Sequence, residues 1–214
     1  GGLYSSTATI SVLARKSRKA SELEATDYVA AMLLAVSMMF LRFMILILIF
    51  SREIFLSIYP YLLTMAVVAA IVAWFIHSRQ KRPEDQPAET EEDDSSNPLE
   101  FKVALIFAVL FVIFTFLTHY TLVYAGTGGL NLLSFVSGFS DITPFILNLL
   151  QNTGSVAALI ITACSMQAII SNIMVNMFYA LFFAGKGSKL RPWILGGFGV
   201  VITCNLVLLL FFYI

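Results

Sequence analysis

Five stretches of the chain, 28–50, 54–76, 103–125, 156–183 and 193–214, are apolar almost from end to end. Each approaches or exceeds the roughly 20 residues a helix needs to cross the hydrocarbon of a bilayer, and none shows the alternating pattern of a membrane strand. The pattern predicts five full membrane-crossing helices. Two further stretches are imperfect. Residues 2–14 are short and rich in hydroxyls, and residues 130–150 are interrupted by Ser137-Gly138-Phe139-Ser140-Asp141-Ile142-Thr143-Pro144. These are expected to form two short or broken membrane helices. The fold class that follows is an all-α polytopic transmembrane bundle.

Polar residues divide the chain into parts. Arg79 to Asp85 and Glu91 to Pro98 lie in a stretch too poor in apolar side chains to fold alone, so 79–100 is read as a polar cytosolic linker. It separates a first membrane repeat, 1–78, from a second, 101–214. The repeat is suggested by laying Gly2 to Ile10 on Gly138 to Ile146, which matches Gly2 with Gly138, Thr7 with Thr143 and Ile10 with Ile146. A shift of two then lays Ser37 to Arg42 on Ser171 to Asn176. In both copies a weak segment precedes two strong spans. The first residue is Gly1 rather than Met, so upstream membrane helices of a longer chain are expected.

Charge placement tests how the broken segment enters the membrane. If 130–150 crosses fully, the loops hold eight basic residues on one side and four on the other; if it enters and leaves on one face, the split is eleven to one. Lys and Arg accumulate on the cytoplasmic side, which favours entry and exit on one face. Three crossings then separate the copies, and an odd number inverts the second. Inverted repeats around discontinuous helices are a recurrent plan of secondary transporters, with the site at mid-membrane.

Composition agrees with a membrane protein: 59% of residues are hydrophobic and 12% charged, against about 25% charged in soluble domains. Mean hydropathy is +0.87. Formal net charge is zero, which gives no reason to expect nucleic acid as a partner. Cys164 and Cys204 lie inside apolar runs and are expected to be reduced packing residues. No nucleophile–base pair, phosphate loop or zinc spacing is present, so an enzyme is disfavoured and no cofactor is expected.

The candidate chemistry sits at the interruptions. Asp141 is the acid set within the apolar stretches, and Thr143-Pro144 reads as the start of a half-helix running to Gln151, with the Thr143 hydroxyl as cap; the alternative is that Asp141 only caps this half-helix and binds nothing. Ser5, Ser6 and Thr7 stand at the matching place in the first copy. Arg42 is the second intramembrane charge and should meet a carboxylate, carbonyls or water. Asn172 and Asn176 share a helix face, nearly joined by Gln167 and Ser171. The proposed substrate-binding set is Ser5, Ser6, Thr7, Ser140, Asp141, Thr143, Arg42, Asn172 and Asn176. The carboxylate favours a cation and the helix N-termini favour an anion, so the sign of the solute stays open. Gly196-Gly197-Phe198-Gly199 reads as a close-packing surface, and His77 and His119 as interfacial.

Gly1-Gly2-Leu3-Tyr4-Ser5-Ser6-Thr7-Ala8-Thr9, Leu13-Ala14-Arg15, Asn97-Pro98-Leu99-Glu100, Ser137 to Thr143 and Ser171-Asn172 together resemble a bacterial membrane family catalogued as a domain of unknown function, number four thousand and ten. The likeness covers nearly the whole chain and departs at Asn176, where that family's pattern has a Lys, and at Pro144. It implies a multi-pass protein of the bacterial inner membrane, often joined to an upstream MgtC/SapB-like domain. Through that neighbour it suggests a divalent cation such as magnesium, with Asp141 as ligand. The leading expectation is a transporter of an ion or small solute. The rival is a non-transporting module that binds a partner protein or lipid, with a polar core and no cavity. A homo-oligomer is compatible with either.

Overall fold

A computed structural model describes residues 6–17, 22–79, 99–152, 156–185, 188 and 190–213. Seven helices follow in order: α1 (Ser6–Ser17), α2 (Glu22–Phe50), α3 (Arg52–Ser78), α4 (Leu99–Ser137), α5 (Ile142–Gln151), α6 (Ala158–Ala184) and α7 (Arg191–Tyr213). Among the described residues five segments are long and apolar enough to span: Thr26–Phe50, Arg52–Ser78, Ala108–Gly126, Ala158–Ala184 and Arg191–Phe211. The chain is an all-helical polytopic membrane bundle. Linker residues 80–98, Ser5 and the residues before it lie outside the described set.

Near position 126 the helical pattern gives way to glycines, and Gly126 takes φ 57° and ψ −147°, a conformation open to glycine alone at little cost. It ends the third span. The chain then continues as Gly128–Ser137, turns at 138–141 and returns as Ile142–Gln151, so the broken segment is a hairpin of two short helices. Each arm has ten residues and rises about 15 Å, half of a hydrocarbon core of about 30 Å. The expected third span, 103–125, is thus fused to the first arm across a kink.

Helix α6 is the hub, touching α1, α3, α4, α5 and α7. Within its apolar window 72% is buried, against 11% for Ala108–Gly126 on the rim. Lipid tails offer no hydrophobic drive between helices, so close fit and hydrogen bonds decide how they associate. Gly197 supplies one close fit: a Cβ there would come 2.8 Å from Leu33 Cδ1. Gly196 and Gly199 face open space, which narrows the expected glycine surface to one position. The buried Tyr61 hydroxyl donates to Asn205 Oδ1, joining α3 to α7.

Cys164 and Cys204 are unpaired, as their surroundings predict. His77 is exposed near the end of α3, with Nδ1 2.7 Å from Asp27 Oδ1.

Candidate functional site

The hairpin tip leaves backbone groups that no helix satisfies, and in a membrane these must be met by protein or water. Here α6 meets them. Ser171 Oγ donates to Phe135 O at 2.6 Å, and Asn172 Nδ2 donates to Gly138 O at 3.1 Å and to Ser140 O at 3.4 Å. Asn176 Nδ2 donates to Asn172 Oδ1 at 3.1 Å and fixes the orientation of that amide. Gly138 packs so tightly that a Cβ would lie 2.3 Å from Ser171 Oγ and 2.8 Å from Asn172 N. Ser171 is thirteen residues from either end of α6, so the tip docks at the centre of a spanning helix.

The second arm begins with Asp141, not Thr143, as the cap. Asp141 Oδ1 accepts from Thr143 N at 2.9 Å and from Thr143 Oγ1 at 2.7 Å. Asp outranks Thr as a cap, and Thr143, two residues into the helix, supplies the amide that needs one. The Thr143 hydroxyl in turn accepts from Arg42 Nη2 at 2.8 Å. Arg42 and Asp141 are therefore joined through a hydroxyl, and the expected pairing takes this relayed form. Asp141→Asn should preserve the cap, because an amide oxygen accepts the same bonds, whereas Asp141→Ala should lose about 1 kcal/mol. Thermal unfolding in detergent checks this, and equal losses in the two variants would remove the cap from the account.

Beside the tip lies a cavity of about 480 Å³. Of the residues singled out in the sequence, Ser6, Thr7, Arg42, Ser140, Asp141 and Asn172 line it. Asp141 and Ser140 are exposed to it rather than buried. Thr143 and Asn176 do not line it; they stand one hydrogen bond behind Arg42 and Asn172. Ser5 lies outside the described residues. Sequence reasoning passed over Ser11, Arg15, Tyr179 and Phe183, which also line the wall. Ser11 and Arg15 continue the α1 face of Thr7 at intervals of four residues, and Tyr179 and Phe183 continue that of Asn172 on α6. From Ser6 to Arg15 the α1 wall rises about 14 Å. Arg15 stands at this far end, its guanidinium carbon 4.4 Å from the centre of the Phe183 ring.

Asp141 is the carboxylate of this lining. Among the described residues no group of three or more His, Cys, Asp or Glu side chains could hold a metal ion. Among the described residues the arrangement offers a space of about 480 Å³ with mixed polar and apolar walls that carries hydroxyls, two guanidinium groups and one capped carboxylate, beside a break in the helical backbone.

A protein of Aquifex aeolicus (strain VF5), described as uncharacterized, is 25% identical over 214 residues, covering 98% of this chain and 90% of its own length. No solved structure matches. Residues 1–184 match the family described as "Domain of unknown function (DUF4010)". With that match spanning both short membrane elements and the helices that hold them, the chain belongs to this family.

Proposed function

We propose that the protein is a transporter of a small solute, a carrier rather than an enzyme, in the bacterial inner membrane. One observation carries the reading: a cavity of about 480 Å³ reaches a hairpin tip docked at the centre of a spanning helix. A module that only binds a partner protein or lipid gives no reason for a polar space there. Irregular backbone at membrane depth is tolerated where it is buried in protein or lines water, and the tip does both.

The boundaries of the elements support the repeat of 1–78 and 101–214. Helix α6 ends 134 residues after α2, which is the offset that lays Ser37 on Ser171. Three spans separate the short elements, so the second copy is inverted and the tips enter from opposite faces. With the basic residues 79, 81 and 82 on the cytoplasmic face, the Arg15 end of the cavity is cytoplasmic and the conformation is inward-open.

The test is flux through proteoliposomes containing the full-length protein, with Ser11→Trp filling the cavity wall. The wild type is expected to move a solute of the screened set, and the variant to fold but lose that flux. Wild-type rates in the variant would place the path elsewhere.

A further inference from the structure

We propose that the cavity takes a small oxyanion, a carboxylate or phosphate-type solute, held between Arg42 at the hairpin tip and Arg15 at the opposite end; this deepens the transport reading and rests on it for the meaning of the site. Among the described residues three charged side chains line the space: Arg15, Arg42 and Asp141. Oδ1 of the carboxylate takes both the amide and the hydroxyl of Thr143, and Arg42 meets the same hydroxyl, so the charges of Asp141 and Arg42 offset each other at the tip. Arg15 then leaves the lining with a positive excess.

The neutral groups point the same way. A cation would look for several convergent oxygens. Asn172 cannot readily offer one, because its oxygen accepts from Asn176 while its nitrogen holds the tip carbonyls. An oxyanion instead finds guanidinium forks, which match carboxylate and phosphate with paired hydrogen bonds, and the hydroxyl of Thr7. Phe183 under Arg15 holds that guanidinium by its face and leaves its N–H edge for a ligand. The volume suits a small organic or inorganic solute with its waters, within the range of about 300–1,000 Å³ seen for ligand sites.

The experiment is a thermal-stability titration of the full-length protein in detergent with sodium acetate, sodium succinate and sodium phosphate. Magnesium chloride and ethanolamine hydrochloride serve as cationic probes, all at constant ionic strength. At least one oxyanion is expected to raise the unfolding temperature saturably, and comparing succinate with phosphate separates the two sources of that chemistry. Arg15→Gln and Arg42→Gln should each raise the half-saturating concentration by about tenfold or more, the loss of a charge-assisted bond, and Arg15→Lys by less. If Arg42→Gln fails to fold, Arg15→Gln carries the test. A saturable response to magnesium or ethanolamine alone, no response to any oxyanion, or an oxyanion response unchanged in the foldable Arg variants would overturn the proposal. Oxyanion binding without flux in proteoliposomes would instead remove the transport reading and leave the anion site standing.

Discussion

Gly138→Val is expected to unfold the hairpin tip, costing about 3 kcal/mol or more. The first added carbon already falls 2.3 Å from Ser171 Oγ and 2.8 Å from the Asn172 backbone nitrogen, and the backbone cannot swing aside as a flexible side chain would. Overpacking alone costs about 1–3 kcal/mol. Displacing Ser171 and Asn172 also breaks their bonds to Phe135 O, Gly138 O and Ser140 O, each worth about 1 kcal/mol. Chemical denaturation in detergent measures the loss. A coupled variant separates crowding from other causes: Gly138→Ala combined with Ser171→Gly makes room for the methyl, so the pair should cost less than the sum of its parts. Strict additivity would mean that the two residues do not meet.

Arg42→Gln should have the largest effect on solute handling. The guanidinium reaches the Thr143 hydroxyl at 2.8 Å, and through it the carboxylate that caps α5. A charge at this depth is expensive to keep, and its retention is explained by use. Gln can still donate to Thr143 but brings no charge and no fork, so oxyanion affinity should fall by about tenfold or more while the hairpin stays folded. Arg42→Lys should restore only part of it, since an ammonium is a point charge without paired donors. Titrating the unfolding temperature with succinate or phosphate checks both variants. Undiminished affinity in Arg42→Gln would remove this residue from the site.

Much of this was legible in the chain because membranes make simple demands. Uninterrupted apolar runs gave the spans, and the Gly138 to Pro144 interruption marked the hairpin because no other element tolerates such residues in lipid. The face shared by Asn172 and Asn176 followed from helical spacing. Other features depend on geometry that spacing does not contain. Whether Asp141 or Thr143 caps α5 turns on where the helix starts, and two capping residues with only Ile142 between them leave that choice open. Gly126 could end a span or kink through it. Arg15 resembled a topology marker like its neighbours Lys16 and Arg18; its place in the cavity wall depends on α1 lying along α6, a tertiary contact.

If the hairpin tip lies at mid-membrane in a cavity that opens toward Arg15, residue 140 should be reachable by water from one face alone. Ser140→Cys in a Cys164→Ala, Cys204→Ala background tests it most directly, in sealed vesicles treated with a membrane-impermeant maleimide. Labelling is predicted from the face that carries linker 79–100 and not from the other, and filling the cavity with Ser11→Trp should abolish it. Labelling from neither face, or only by a reagent that dissolves in lipid, would contradict the account.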